Sequence, residues 1–391
     1  MFCCSTLAVS LVYRYITSFM AGIYIHIPFC LKRCDYCDFY KTTNISLKSE
    51  FLNTLKREIS MNGGFISGEI IETVYFGGGT PSVLTPVEVS EILNEIVSKV
   101  NDKNKIKEIT FELNPDDGTP GYLEELRKTG INRLSIGIQS FDDAMLRVLN
   151  RRHNSAQAQD VVKNARRAGF DNISIDLMYG LPGLTSEGWE QTVDRALDLN
   201  VEHISAYHLT YEPGTIFYKK LKKGELKESP EDESILQFRV LIEKLKKAGF
   251  VHYEVSNFAL PGKRSLHNSN YWSGKKYIGL GPSAHSFDGS KRWWNVSNVK
   301  KYTEGSFIEK EETLTGADRY NELVMLKLRT KEGVSTEELR TLGTEYFLYF
   351  KNEAGKFIRS GDLLFSGERY FITEKGIFIS DYIISELFYY E

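Results

Sequence analysis

Strand-like apolar runs alternate with amphipathic stretches along most of residues 20–256. Each run is five to seven residues long, which is the length of a buried strand. In the stretches between them, apolar residues recur every three or four positions, as on one buried face of a helix. The runs predict strands at 23–27, 70–76, 107–113, 133–138, 172–178, 203–209 and 251–255.

Helices are predicted between these strands, and three of them end in a basic turn followed by glycine, at Gly130, Gly169 and Gly249. Strands that alternate with helices are typical of βαβ units and a parallel sheet. We therefore expect the α/β class, with a full or partial (β/α) barrel whose site lies at the carboxyl ends of the strands. The predicted helices are 47–61, 86–99, 119–129, 155–168, 186–199 and 231–248.

The pattern changes after about residue 311, where helices at 317–330, 336–342 and 345–358 precede short β-like runs. This order predicts a small winged-helix-like domain over 311–391. Its acidic residues Glu337, Glu338 and Glu345 argue against a DNA-recognition helix. The domain scheme is thus a barrel at 20–256, a connecting segment at 257–310 and this C-terminal domain.

Residues 1–19 do not fit the barrel pattern. They are apolar, but no basic region precedes them and Arg14 interrupts the run, unlike a signal peptide. The stretch is also too short for a membrane-spanning helix. Met20 is a natural start, so we expect 1–19 to be a disordered extension; a weak membrane anchor is the alternative.

The charge of the chain limits its partners. A formal net charge of −3, with acidic and basic residues interspersed, disfavours a nucleic-acid binder. Of five cysteines, Cys3 and Cys4 lie in the N-terminal stretch, and the other three form one motif that requires reduced thiols. A cytoplasmic protein without a stable membrane span is the expectation.

Cys30, Cys34 and Cys37 follow the first predicted strand with the spacing C-x3-C-x2-C. A loop this short can turn three thiolates toward one point, which suits a [4Fe–4S] cluster with one iron left open. A partial zinc site is the alternative, but zinc requires a fourth ligand, and His26 lies upstream on the strand. The spacing is similar to that of radical S-adenosylmethionine (SAM) proteins, in which SAM binds the open iron.

Polar residues recur where successive strands end. The second strand runs into Gly77-Gly78-Gly79-Thr80, whose backbone N–H groups can approach a ligand closely. Glu112, Gln139 and Asp176 follow at the ends of the third, fourth and fifth strands, and Arg151 lies in the segment between the last two. Singly, each is equally consistent with a solvated rim residue. Together on one barrel face they suit ribose hydroxyls and a carboxylate.

In combination these motifs resemble the radical SAM family of oxygen-independent coproporphyrinogen III oxidases and their relatives. The resemblance rests on residues 24–39, the GGGTPS turn, the Glu-x-Asn-Pro and Gly-x-Gln-Ser-Phe segments and DLMYGLPG, and it extends from about residue 22 to the C-terminus. It implies Cys30, Cys34 and Cys37 as cluster ligands. Arg152 competes with Arg151 for a place in the pocket. The SAM pocket that the resemblance implies consists of Tyr24, Tyr36, Gly78, Gly79, Thr80, Glu112, Gln139, Arg151 and Asp176.

Three features favour one branch of this family, the heme chaperones called HemW. The oxidases have a further Cys two places after the third ligand, where this chain has Phe39, and they have a longer segment before the first strand. The segment His267-Asn268-Ser269-Asn270-Tyr271-Trp272 matches the His-Asn-x-x-Tyr-Trp motif tied to heme binding in that branch. The resemblance thus implies His267 as an axial heme ligand; a structural histidine in an aromatic loop is the alternative.

The sequence therefore predicts a heme chaperone that binds a [4Fe–4S] cluster, SAM and heme. Its expected partners are heme, a heme-acceptor protein and a reductant for the cluster. Whether the chain is also an enzyme stays open at this stage. Oxidative decarboxylation of coproporphyrinogen III is the alternative function, and a radical SAM enzyme with an unrelated substrate is a third.

Overall fold

The structure is a computed structural model that describes residues 20–390. The sequence patterns predict the first part of the chain closely, since all seven predicted strands and all six predicted helices of the barrel region are present within a few residues of their expected bounds. The strands are β1 Met20–Ile27, β2 Ile70–Gly78, β3 Glu108–Leu113, β4 Arg133–Gln139, β5 Ile173–Tyr179, β6 His203–His208, β7 Val251–Glu254, β8 Asn257–Ala259, β9 Tyr277–Leu280, β10 His285–Phe287, β11 Lys291–Asn295, β12 Ile308–Thr313, β13 Val334–Ser335, β14 Leu363–Ser366 and β15 Arg369–Ile372.

Helices connect the strands. Several short helices were not predicted from the sequence, among them those at 143–148, 216–222 and 266–272. The helices are α1 Lys48–Met61, α2 Gly63–Gly68, α3 Pro86–Lys99, α4 Pro120–Lys128, α5 Asp143–Val148, α6 Ser155–Arg167, α7 Ser186–Asp198, α8 Ile216–Lys222, α9 Glu231–Lys247, α10 Leu266–Trp272, α11 Val299–Thr303, α12 Gly316–Leu328, α13 Thr336–Leu342, α14 Thr344–Ser360 and α15 Ser380–Glu386.

Strands β1 to β6 lie side by side in chain order, and each is parallel to the next. They belong to one open sheet of twelve strands in the described residues, with β9 parallel to β1 at one side and β8 antiparallel to β6 at the other. The seventh predicted strand, β7, pairs antiparallel with β8 and does not add a parallel strand. The α/β expectation is confirmed, and the barrel is partial.

The apolar runs become strands because both faces of the sheet are covered. Ile23, Ile25 and Ile27 on β1 are fully buried, as expected for a parallel strand beneath helices. The helices bury one face each. In α3, for example, Thr85 and Glu88 form a capping box at the N-terminus and Pro86 occupies the first turn.

The connecting segment extends the sheet and fastens it to α1. Strands β9 to β12 follow β1 outward in the order β9-β10-β11-β12. Glu58 on α1 accepts hydrogen bonds from the Gly281 N–H at 2.8 Å, the Tyr302 hydroxyl at 2.6 Å and the Asn295 amide at 2.5 Å. Burial raises the pKa of Glu58, and these three donors oppose that shift. One carboxyl group thus holds the connecting segment against the barrel.

The C-terminal part combines helices α12 to α15 with a three-stranded antiparallel sheet in the order β13-β15-β14. Its buried residues, such as Tyr320, Phe350 and Ile383, form an apolar core of their own. This agrees with the expected small domain of helices and a hairpin, while the exact domain boundaries stay predictions. The expected extension at 1–19 lies outside the described residues. Within 20–390, no helix is both long and apolar enough to cross a bilayer.

Candidate functional site

A cavity of about 970 Å³ opens at the carboxyl ends of the parallel strands. It collects residues from β2 to β6, from the loop after β1, and from the C-terminal segment 377–381. Of the thirteen residues predicted from the sequence, eleven line it and Tyr24 and His267 do not. The eleven are Cys30, Cys34, Tyr36, Cys37, Gly78, Gly79, Thr80, Glu112, Gln139, Arg151 and Asp176.

The cysteine loop is fixed at its base by backbone hydrogen bonds. The Cys30 N–H donates to the Thr42 carbonyl at 2.9 Å, and the Thr42 N–H donates to the Pro28 carbonyl at 2.7 Å. Near the tip, the Lys41 ammonium donates to the Cys37 carbonyl at 2.5 Å. The loop therefore presents its thiols on a braced backbone.

Two of the three thiols accept a hydrogen bond from a neighbouring side chain. Cys30 is buried, Cys34 and Cys37 are half-buried, and all three are free thiols. The Thr80 hydroxyl donates to Cys30 Sγ, and Arg151 Nη1 donates to Cys34 Sγ, both at 3.3 Å. Burial raises the pKa of Cys30, and the Thr80 hydroxyl opposes this by favouring the thiolate.

These thiols suit a thiolate-bound cluster. Three free thiols face one cavity, and hydrogen bonds to sulfur are the usual way in which proteins stabilise cluster thiolates. His26, the nearest histidine in sequence, has both ring nitrogens engaged, by the Tyr40 carbonyl at 2.9 Å and the Tyr24 hydroxyl at 3.3 Å. Residues 20–390 contain no three His, Cys, Asp or Glu side chains arranged as a site for a metal ion, these thiols included, so the assignment of a cluster rests on the cysteine motif rather than on the positions of the thiols.

The glycine turn after β2 packs directly against the cysteine loop. The Gly79 N–H donates to the Ile27 carbonyl and the Thr80 N–H donates to the Phe29 carbonyl, both at 2.8 Å. A Cβ on Gly79 would lie 2.8 Å from each of those two carbonyl oxygens. Gly78 has a φ of +103°, which favours glycine. The glycines therefore serve loop packing as well as ligand approach.

Two carboxyl groups line the cavity wall with raised pKa values. Burial and the nearby Asp176 raise the pKa of Glu112 to about 7, although the Tyr75 hydroxyl donates to Glu112 at 2.8 Å. Burial raises the pKa of Asp176 to about 6, opposed by hydrogen bonds that include one from Ser135 at 3.3 Å. Near neutral pH such groups can accept or donate hydrogen bonds, which suits the hydroxyl groups of a sugar.

Arg151 and Arg152 have different surroundings. Arg151 lines the cavity and donates to Cys34 Sγ, to Asn114 Oδ1 at 2.7 Å and to the Gly137 carbonyl at 2.6 Å. Arg152 forms ion pairs with Asp116 at 3.0 Å and Asp117 at 2.8 Å. Its charge is thus neutralised by neighbouring aspartates, whereas Arg151 faces the cavity.

Gln139 reaches the cavity through an unusual backbone conformation. Its φ is +67°, which costs free energy for a residue with a side chain, and the pairing of β4 with β5 is irregular at this point. Strain of this kind is commonly found at binding sites. The conformation turns the Gln139 amide toward the cavity.

His267 and Tyr24 lie beside the cavity in an aromatic layer. His267 is 1% exposed and stacks on Tyr75, with ring centroids 5.0 Å apart. Its Nδ1 is hydrogen-bonded to the Thr73 hydroxyl at 2.8 Å and its Nε2 to the Tyr271 hydroxyl at 2.9 Å. Burial, with a contribution from Arg133, lowers the pKa of His267 to about 3, so the ring is neutral. The Tyr24 ring lies 6.5 Å from that of His267.

Several cavity residues were missed by the sequence patterns. Tyr75, Arg133, Met178, Ser205 and Tyr207 all line the cavity. Four of them lie within strands, and Arg133 is the first residue of β4. Side chains alternate between the two faces of a strand, so one residue known to point inward in each of β2, β4, β5 and β6 would have identified the others.

Comparisons with known proteins show which families the chain resembles. Residues 24–196 match the radical SAM superfamily, and residues 314–379 match the HemN C-terminal domain. The chain is 35% identical to the heme chaperone HemW of Bacillus subtilis over 364 residues, which cover 92% of each chain. It is 33% identical to the heme chaperone HemW of Mycobacterium tuberculosis over 381 residues, 94% of each chain.

Among solved structures, the coproporphyrinogen III oxidase HemN of Escherichia coli has the same fold. It superposes with a TM-score of 0.83 at 23% identity, and the match covers 98% of this chain and 94% of that one. The likeness to the oxidase establishes the fold alone, whereas the identity to the curated relatives extends over nearly the whole chain. The chain belongs to the HemW family of radical SAM proteins.

Proposed function

We propose that this protein is a heme chaperone of the HemW type, which binds a [4Fe–4S] cluster, SAM and heme and transfers heme to an acceptor protein. The observation that carries the proposal is the 35% identity to the Bacillus subtilis heme chaperone over 92% of both chains. The thiol-lined cavity supports it. A reductant for the cluster, a heme-accepting partner and a cytoplasmic location, which keeps thiols reduced, belong to the same proposal.

The residues around the cavity fit the two cofactors of the proposal. Cys30, Cys34 and Cys37 would hold the cluster, which supplies an electron to the sulfonium of SAM when both are bound. Glu112 and Asp176 would bind ribose hydroxyls. The pocket's other members in this proposal are Tyr24, Tyr36, Gly78, Gly79, Thr80, Gln139 and Arg151.

Arg151 has a defined task in this arrangement. It donates to a cluster thiol and to a backbone carbonyl, which fixes its guanidinium beside the cysteine loop. A carboxylate next to the open iron would therefore meet an oriented cation. Tyr24 does not line the cavity, and its hydroxyl group is hydrogen-bonded to His26, so it would support the pocket rather than contact the ligand.

Heme ligation through His267 requires a local rearrangement. Both ring nitrogens are hydrogen-bonded, so the Tyr271 hydroxyl must leave Nε2 before iron can bind there. The neighbouring Asn268 already lines the cavity, which places α10 at its edge. A rotation of this seven-residue helix would bring His267 toward a ligand in the cavity.

The test is a heme titration of the reconstituted protein and three variants. Tyr271→Phe removes the hydroxyl that competes for Nε2 and should tighten heme binding. His267→Ala should weaken heme binding or change the heme spectrum, because the ligand field of the iron changes. His285→Ala is the control, since His285 is exposed and stacks on Trp294.

The outcomes distinguish an error in the assigned axial ligand from an error in the proposed function. If Tyr271→Phe and His267→Ala both bind heme as the wild type does, His267 is not the ligand. If the wild type binds no heme, the chaperone proposal fails. The cluster iron, measured before heme is added, should be equal in all four proteins. Within the described residues α10 forms no hydrogen bond to the cysteine loop; His267, for example, is bonded to Thr73 and Tyr271.

The alternative function is oxidative decarboxylation of coproporphyrinogen III. The shared fold with the Escherichia coli oxidase keeps it as a candidate. Against it, Phe39 occupies the place of the oxidases' additional cysteine, and its side chain is 69% exposed at the cavity rim. An apolar side chain there offers contact surface for a flat macrocycle and no thiolate.

A further inference from the structure

A depression of about 500 Å³ lies behind the cysteine loop, between helices α5 and α8. Asp35, a residue of the loop itself, belongs to its lining. Cys34 and Tyr36, on either side of Asp35 in the chain, line the main cavity instead. The loop therefore separates the two openings, with Cys34 on the cavity side and Asp35 on the side of the depression.

Hydrogen bonds hold the loop against both walls of the depression. The Phe217 N–H donates to the Asp35 carbonyl at 3.0 Å, and the Lys220 ammonium forms an ion pair with the Asp35 carboxylate at 2.8 Å. On the other wall, the Asn150 amide donates to the Arg33 carbonyl at 2.9 Å. Asp35 follows Cys34 directly in the chain, so a group that touches Asp35 from outside is one Cα–Cα step, roughly 3.8 Å, from a predicted cluster ligand.

The surface around the depression is basic, although the whole chain is acidic. Segments 31–35 and 216–227, together with Arg147, contain eight basic residues and two acidic ones, a net charge of +6. The net charge of the whole chain is −3, so the rest of the chain carries −9. We call these two segments and Arg147 the basic surface. Its exposed cations include Arg33, Arg147, Lys219, Lys222 and Lys223.

Apolar side chains are exposed among these charges. Leu31 is 54% exposed, Ile216 is 41% exposed and Val148, which lines the depression, is 36% exposed. A row of lysines by itself is typical of a solvated helix face. Apolar contact area surrounded by charges of one sign is instead the composition of an interface with an oppositely charged protein.

We propose that the basic surface docks an acidic electron-transfer protein, whose prosthetic group enters the depression and reduces the cluster through the loop. The inference rests on the proposed function, which requires a reductant for the cluster. Charge complementarity selects an acidic partner, and the opposite side of the loop is the one that faces the proposed SAM pocket. The donor is oxidised by one electron and the cluster is reduced by one electron, while no bond breaks and no proton moves.

The experiment uses flavodoxin, a small acidic flavoprotein that donates single electrons, as the probe. Reduced flavodoxin is mixed with the anaerobically reconstituted protein, and the loss of cluster absorbance gives a second-order rate constant. Binding of oxidised flavodoxin to the protein without its cluster is measured in parallel. The double variant Lys219→Glu with Lys222→Glu should lower the rate constant and the affinity by about tenfold or more at low ionic strength. The difference should largely vanish at about 1 M salt.

A matched control changes the same charge elsewhere. Lys103→Glu with Lys105→Glu reverses two exposed lysines just before β3, at the end of the sheet opposite to the cysteine loop. Both measured values should then stay within about twofold of the wild type, because charges that far away are screened. Lys219→Gln with Lys222→Gln removes the charges without placing acids near the end of α8, and should show a smaller loss. Deazariboflavin, a small photoreductant, should reduce the cluster equally in all of these proteins.

The results separate this surface from the proposed function. The docking surface is refuted if Lys219→Glu with Lys222→Glu binds flavodoxin and accepts electrons as the wild type does, or if the control variant loses as much. Vesicles of anionic lipid test another occupant: binding to them and not to flavodoxin would assign the surface to a membrane and overturn the proposal. A wild type that binds no heme, or forms no cluster, refutes the proposed function, while the titration with oxidised flavodoxin needs neither and still decides the role of the basic surface.

Discussion

Replacement of Gly79 by alanine tests how closely the glycine turn and the cysteine loop depend on each other. The new Cβ would lie 2.8 Å from the Ile27 and Phe29 carbonyl oxygens and 3.0 Å from the Phe29 nitrogen. All three are backbone atoms, so no side chain can move aside. To reach an ordinary contact of 3.4 Å, the two segments must separate by about 0.6 Å.

Such a separation weakens the connection between the loops. The hydrogen bonds from Gly79 to Ile27 and from Thr80 to Phe29, both 2.8 Å long, lengthen to about 3.4 Å and are weakened. Each contributes about 1 kcal/mol when intact, so weakening the pair costs about 1 kcal/mol, and overpacking adds about 1 to 3 kcal/mol. We expect Gly79→Ala to lower the free energy of unfolding by about 2 to 4 kcal/mol. Cys30 should also lose the Thr80 hydroxyl bond, so that cluster content falls.

The assay is urea unfolding of the ligand-free protein, followed by tryptophan fluorescence. All four tryptophans lie between residues 189 and 294, so the signal reports on the barrel and the connecting segment rather than on the C-terminal part. Gly121→Ala is the matched control, because Gly121 lies in α4 and a Cβ there meets nothing within 4 Å. A Gly79→Ala protein as stable and as rich in iron as the wild type would refute the reasoning.

Two further predictions concern the site. Cys30→Ala, Cys34→Ala and Cys37→Ala should each abolish the cluster, because two thiolates cannot hold the cube against solvent; four irons per chain in any of them would contradict the ligand assignment. The pKa of Glu112 is raised to about 7 in the folded protein, so between pH 4.5 and pH 7 the folded protein holds a proton that the unfolded chain has lost. The contribution of Glu112 to stability therefore falls as pH rises through that interval. The melting temperature of Glu112→Gln should rise relative to that of the wild type from about pH 5 to about pH 8, and an equal dependence of both melting temperatures on pH would contradict this.

The sequence predicted the barrel region well for a physical reason. Parallel strands covered on both sides must be apolar along their length, and the helices that cover them must be amphipathic. The spacing of apolar residues in the sequence therefore predicts both kinds of element. The connecting segment lacks that signal. Its strand β12, Ile308–Thr313, is mostly exposed and rich in charge, and α10 is only seven residues long.

The candidate site was predictable where chemistry coincides with strand ends. Glu112 and Gln139 stand at such ends, whereas Asp176 lies in the middle of β5, and the structure brings all three to one cavity with the thiols. Arg133 was missed because it begins its strand, where the sequence does not show which face the side chain takes. For His267 the motif predicted a role, but only the fold shows both ring nitrogens bonded.

The central claim is the proposal that this protein binds heme and does not decarboxylate coproporphyrinogen III. One anaerobically reconstituted sample, with cluster and SAM present, should be titrated with heme and then incubated with coproporphyrinogen III and a reductant. The account predicts about one heme per chain and no decarboxylated product. Protoporphyrinogen formation at a steady rate, or absence of heme binding, would contradict it.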